Sequence, residues 1–136
     1  MEDPIRWATI STKIRWPLRE KLPYDADRDL IPIANVSTLY LSLSAPASLG
    51  VKTFREFFEM VRANPGKYNA AAANGNADFL MSGFLKSNNL DMAKVPYKDT
   101  VQAINDLAEN RIQSFVGAYA IMRPQVQNGK VKVIAL

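Results

Sequence analysis

Thr53-Phe-Arg-Glu-Phe-Phe-Glu-Met-Val-Arg-Ala-Asn-Pro-Gly66, followed without a break by Lys67-Tyr-Asn-Ala-Ala-Ala-Ala-Asn-Gly-Asn76, decides the fold. Thr53 and Glu56 have the spacing of a capping box, and Phe54, Phe57, Phe58 and Val61 recur at i, i+3, i+4 and i+7. That pattern predicts a helix whose phenylalanines belong to a core. Asn64-Pro65-Gly66 ends it: proline removes a donor, and glycine takes up left-handed backbone that other residues avoid. A short apolar run from Lys67 to Ala72 then reads as a strand. Asn74-Gly75-Asn76 reads as a turn opening a second helix over about Ala77–Ser87.

The same alternation extends in both directions. Upstream, Ile5–Ile10 reads as a strand, and Leu22-Pro-Tyr-Asp25 as a hinge-like connector. Ile31, Ile33, Leu39, Leu41 and Leu43 fall on alternate positions, predicting a bent strand, or two consecutive ones, within Ile31–Ala45 with one buried face. Downstream come a short strand at Met92–Val95 and a helix capped by Asp99 with Val101, Ile104 and Leu107 on one face. A strand at Ile112–Val116, a helix at Ile121–Gln127 and a strand at Val131–Leu136 complete the series. Strands alternating with helices predict an α/β fold with a mostly parallel sheet flanked by helices. Residues 1–24 read as a leading strand and hinge connector, and 25–136 as an α/β lobe with a closing strand.

Composition narrows the chemistry. The chain has 136 residues, enough for one core, with 48% hydrophobic and 22% charged residues, typical of a globular domain. It contains no Cys and no His. Thiol nucleophiles, Ser-His triads, disulfides and thiolate or imidazole metal sites are therefore excluded within this chain. The pairs Glu56/Glu59, Asp25/Asp27 and Asp27/Asp29 sit at helix-surface or loop spacings and make no acid/base pair. No catalytic residue, cofactor or metal ligand is assigned. The net charge of +4 comes from 17 basic against 13 acidic residues, a mild excess that favours anionic partners. Arg6, Trp7, Lys13, Arg15, Trp16, Arg19 and Lys21 form a basic-aromatic stretch of the kind that can stack on bases. The preferred reading is a packed strand and connector with a solvated basic side, and nucleic acid is not among the expected partners. No apolar run reaches the roughly 20 residues of a membrane helix. Met1-Glu-Asp-Pro-Ile-Arg-Trp7 lacks the pattern of a signal peptide, which as written leaves the chain in the cytoplasm.

Ligands of open parallel α/β sheets bind outside the carboxyl ends of the strands, where helix N-termini present N–H groups. Three loops qualify: Ala73–Asp78, Tyr97–Thr100 and Gly117–Ala120. Asn74, Gly75 and Asn76 can expose amides to a carboxylate, with Asp78 in the first helical turn; the alternative is an ordinary turn with Asp78 offsetting the helix dipole. Tyr97 can donate to a ligand and Lys98 can add charge; the alternative is an aromatic lid on the core. Tyr119 beside Gly117 reads either as a cleft aromatic or as surface packing.

The order of segments carries a resemblance. Leu22-Pro-Tyr-Asp25, Asp29-Leu-Ile-Pro-Ile-Ala34, Asn64-Pro-Gly-Lys-Tyr68, Asn74-Gly75, Val95-Pro-Tyr-Lys98 and Asn128-Gly-Lys130, in that order and spacing, resemble the TctC/Bug solute receptors of tripartite tricarboxylate transporters. The resemblance covers about Ile10–Leu136. It implies one lobe, mainly the second, of a Venus-flytrap-like periplasmic binding protein that closes on a small di- or tricarboxylate and hands it to a membrane permease. It implies that Ala71, Ala72 and Asn74–Asn76 hold a ligand carboxylate, that Gly117, Ala118 and Tyr119 meet its other end, and that Ser11 and Thr12 contribute from the first-lobe side. By the same resemblance the location is periplasmic, and the receptor's beginning and end lie outside the stretch matched.

Two departures fall in these loops. The binding loop of such receptors is rich in Gly and Ser, whereas Ala70, Ala71 and Ala73 stand here. Gly117-Ala118 replaces a frequent Asp-Ser, removing a carboxylate that can pair with a ligand ammonium, so amino-acid ligands are expected to be disfavoured. The expected function is carboxylate binding by a lobe that is incomplete alone. The alternative is a self-associating, domain-swapped or homodimeric interaction module with a degenerate site.

Overall fold

The computed structural model describes Arg28, Ile31, residues 33–34, 38–73 and 75–136. The chain divides into two compact units, Met1–Val36 and Ser37–Leu136. In the first, Arg28 sits in an exposed turn, and Ile31 and Ile33 are exposed. The expected strand at Ile5–Ile10, the connector at Leu22–Asp25 and the basic-aromatic stretch lie outside the described residues.

In the second unit, five strands form one sheet: β1 (Leu41–Pro46), β2 (Asn69–Ala72), β3 (Ala93–Lys94), β4 (Ser114–Ala118) and β5 (Val131–Ala135). Their order is β3-β2-β4-β1-β5. β2 pairs in parallel with β3 and β4, and β1 pairs antiparallel with β4 and β5. Four strands thus share one direction and β1 runs against them, so the sheet is mixed with a parallel majority. Four helices cover it: α1 (Phe54–Ala63), α2 (Asn76–Ser87), α3 (Thr100–Ala108) and α4 (Tyr119–Gln127).

Both faces are buried. One cluster gathers Leu43, Ala45, Ala70, Phe57, Val61, Met81 and Leu85, so it lies under α1 and α2. The other gathers Ala71, Phe115, Val131, Ala103, Ile104, Leu107 and Met122, under α3 and α4. Adjacent residues Ala70 and Ala71 serve opposite clusters because successive side chains in a strand alternate faces. Full coverage also explains why β1 is buried almost throughout rather than alternating.

The capping box of α1 forms with a shift. The Glu56 N–H donates to Thr53 Oγ1 at 3.2 Å, while Glu56 Oε2 accepts from the Lys52 N–H at 2.7 Å, one residue beyond the usual partner. Phe57 and Val61 are fully buried and Phe58 packs against the core, but Phe54 is partly exposed, its ring 5.6 Å from that of Phe84.

Among the described residues of the expected strand over Ile31–Ala45, strand pairing is confined to the last part. Ile31, Ile33 and Leu39 are 86%, 72% and 69% exposed, and pairing begins at Leu41, opposite Ala118. Beyond Ala118 the neighbouring chain turns into α4, so an earlier β1 residue would have no β4 partner. Likewise β4 begins at Ser114 instead of Ile112, because the Arg111 and Ile112 N–H groups still donate to Asp106 O. Helix α4 begins at Tyr119, directly at the end of β4.

Candidate functional site

Register fixes which residues meet at the carboxyl edge of the sheet. Ala72 lies opposite Val116, and the next N–H, that of Ala73, donates to Val116 O at 2.8 Å. Leu41 lies opposite Ala118, and the Tyr119 N–H donates to Tyr40 O at 2.9 Å. The turn after β2, the junction of β4 with α4 and the entry to β1 therefore share one edge. Helices α2, α3 and α4 all begin there, which adds the positive ends of three helix dipoles.

The three starts differ. Asp99 caps α3, accepting from the Val101 N–H at 2.9 Å. The N-caps of α2 and α4 are Gly75 and Ala118, and neither provides a side-chain hydrogen bond. Their opening N–H groups are thus left to acceptors other than a capping side chain. Gly75 has φ 73° and ψ −121°, a conformation accessible essentially to glycine alone, and this is what aims α2 at the edge.

The predicted site residues divide accordingly. Gly75, Asn76, Gly117, Ala118 and Tyr119 come together at this edge. Ala71 and Ala72 lie inside β2 rather than in the turn, and the Ala71 methyl is buried in the cluster with Phe115. A hydroxyl at position 71 would enter that core, so an alanine there takes nothing from the turn. Asn74, Ser11 and Thr12 lie outside the described residues.

Asp78 and Tyr97 have protein partners. Asp78 Oδ1 is 2.6 Å from Lys94 Nζ, which also donates to Ser82 Oγ at 2.7 Å, tying α2 to the edge strand β3. The Tyr97 hydroxyl donates to Asp106 Oδ2 at 2.8 Å, and Asp106 also accepts from Arg111 at 3.0 Å. Burial, and then the neighbouring Asp106 carboxylate, push the Tyr97 hydroxyl up to about 12. Its ring packs on the second cluster, as the lid reading expected. Lys98 next to it is exposed and, among the described residues, has no ion-pair partner.

Gly117 is buried, and a Cβ there would lie 2.4 Å from Phe115 Cε1. The end of β4 therefore presents bare backbone, its carbonyl accepting from Ser42 Oγ at 3.3 Å. Sequence reasoning missed Tyr40 and Ser42. Tyr40 stands just before a strand that runs against the others, and nothing in its neighbourhood in sequence announces that reversal.

Among the described residues no group of three or more acidic side chains could hold a metal, and no helix is long and apolar enough to cross a membrane. The edge offers amides, a cation and aromatic surface, which suits holding an anion.

A family model for the tripartite tricarboxylate transporter family receptor matches residues 7–136. The UPF0065 protein in the tcbD-tcbE intergenic region of Pseudomonas sp. (strain P51) is 27% identical over 118 residues, 85% of this chain and 35% of that protein. A solved periplasmic transporter superposes with a TM-score of 0.70 at 27% identity, over 85% of this chain and 39% of the other. MatC (Rpa3494) from Rhodopseudomonas palustris, with bound malate, gives 0.66 at 26% identity, over 85% and 40%. The chain spans little more than a third of these relatives' length. Its α/β sheet is one lobe of their periplasmic-binding-protein fold, and the family is one of transport receptors rather than enzymes. With nearly its whole length matched, the chain belongs to the tripartite tricarboxylate transporter family of receptors.

Proposed function

We propose that this chain forms one wall of a periplasmic binding site for a small carboxylate, which the receptor delivers to a membrane permease. The observation that carries the reading is the pair of helix starts without side-chain caps, α2 at Gly75 and α4 at Ala118, on one edge of the sheet. Backbone N–H groups at helix starts hold carboxylates without needing a basic side chain. Family membership and the malate bound to MatC support the same ligand class. A single open wall leaves the ligand hydrated, so tight binding needs a second surface to exclude water.

Isothermal titration with malate and a panel of small carboxylates, on the protein at its full natural length, tests this. Saturable binding is expected, weakened at least about tenfold by Gly75→Ala, which turns the α2 amides away; a tenfold loss is about 1.4 kcal/mol. Circular dichroism checks that the variant stays folded. If no carboxylate binds at millimolar concentration, the proposal fails.

A further inference from the structure

Resting on that reading, we infer that Lys94 is a positioning residue for carboxylate capture: it draws the Asp78 carboxylate away from the opening N–H groups of α2 and so keeps them for the ligand.

The need for such a residue follows from where Asp78 stands. The Phe79 N–H closes the first helical bond of α2, donating to Gly75 O at 3.1 Å. A ligand carboxylate would use the N–H groups of the turn before it, and Asp78 is the third residue of the helix. An acidic side chain at that position is attracted to the positive end of its own helix and can fold back onto the N-cap. Asp78 is therefore a rival for the same amides, and its charge repels an incoming anion. Glu56 holds the equivalent place in α1, three residues after the cap Thr53, and it does turn back, accepting from the Lys52 N–H at 2.7 Å.

In α2 the carboxylate is directed elsewhere. Asp78 Oδ1 is 2.6 Å from Lys94 Nζ, on the edge strand β3. The same ammonium donates to Ser82 Oγ at 2.7 Å, and Ser82 Oγ donates to Asp78 O at 2.8 Å. Ser82 lies one turn further along α2, so this second contact holds the cation beside the helix instead of ahead of its start. The carboxylate is held with it. The two side chains are 39% and 50% exposed, and as an ion pair they contribute little stability. What the pair decides is the direction of one negative charge.

Isothermal titration of malate into the protein at its full natural length, and into Lys94→Met, Asp78→Ala and the double variant, separates steering from tethering, because both single substitutions break the same ion pair. Lys94→Met releases the carboxylate and is expected to weaken malate about two- to fivefold, the range of a charge acting at a helix terminus. Asp78→Ala removes the rival and is expected to bind malate at least as tightly as the parent. The double variant is expected to recover what Lys94→Met loses. Circular dichroism checks that each variant is folded. No loss in Lys94→Met, an equal loss in Asp78→Ala, or a double variant no better than Lys94→Met overturns the inference, while malate binding by the parent leaves the carboxylate reading standing. Absence of malate binding by the parent overturns both.

Discussion

Gly117→Ala adds a single methyl group at a place where the structure leaves no room for it. The new Cβ would lie 2.4 Å from Phe115 Cε1, 3.1 Å from Cζ and 3.4 Å from Cδ1. Ordinary carbon contacts need about 3.5–4.0 Å, so the nearest must open by more than about 1 Å. Phe115 is 0% exposed and packs among Ala71, Ile104, Leu107 and Met122, so the ring has no solvent to swing into. Movement of the backbone instead would strain the ladder of Gly117 to Ser42 and the Ser42 Oγ bond to Gly117 O. Overpacking of this kind costs about 1–3 kcal/mol, which for a domain of this size lowers Tm by about 4–12 °C. Differential scanning calorimetry of Gly117→Ala, Phe115→Leu and the double variant measures it. Phe115→Leu costs less than the roughly 3–5 kcal/mol of a Phe→Ala truncation and makes room for the methyl. The double variant should therefore lose at least about 1 kcal/mol less than the sum of the singles. A Gly117→Ala protein melting within about 1 °C of the parent, or strictly additive losses, would refute the packing argument.

Two further substitutions probe the frame around the edge. Thr53→Ala removes the acceptor of the Glu56 N–H and should destabilise by about 1 kcal/mol, read as a fall in the urea midpoint at unchanged slope. Tyr97→Phe removes the donor to Asp106, whose carboxylate keeps Arg111, and should cost about 1–2 kcal/mol. The pH dependence has a definite sign. The folded state holds the Tyr97 proton up to about 12, whereas an unfolded tyrosine releases it near 10. The contribution is therefore complete below pH 10 and lost as pH rises from 10 towards 12. Stability curves of parent and Tyr97→Phe should converge over that interval, and a constant gap across it would contradict the role given to Asp106.

The helices were legible because each carries its own signal. The Thr53 cap, the phenylalanine spacing and the Asn64-Pro65-Gly66 stop place α1 within a residue of its observed ends, and Asp99 marks α3. The strands were less legible because their limits depend on partners. The alternation from Ile31 to Leu43 has the period of a strand, yet among the described residues of the second unit pairing starts only at Leu41, opposite Ala118. The reversed direction of β1 is likewise a property of the assembled sheet. At the candidate edge, glycine and turn chemistry pointed to the turn at Gly75, whereas the start of α4 directly at Tyr119 was placed two residues late. The commitments of Asp78 to Lys94 and of Tyr97 to Asp106 stayed hidden, since they link residues from different elements.

The alanines of β2 bear on how such a site tolerates change. Ala70 and Ala71 are almost fully buried on opposite faces, so helices of both layers approach this interior strand closely. The strand contributes little side-chain chemistry; what it fixes is the height at which the chain leaves the sheet at Ala73, held by the bond to Val116 O. In the proposed site the anion-directed groups are backbone N–H groups, whose direction depends on Gly75 and on the abrupt passage from Ala118 into α4. Exposed side chains at the rim can vary without moving the backbone. Larger residues at Ala70, Ala71 or Gly117 would instead push the sheet and its helices apart and move the amides themselves. In the proposed site, carboxylate capture would thus rest on the buried small residues that set the backbone.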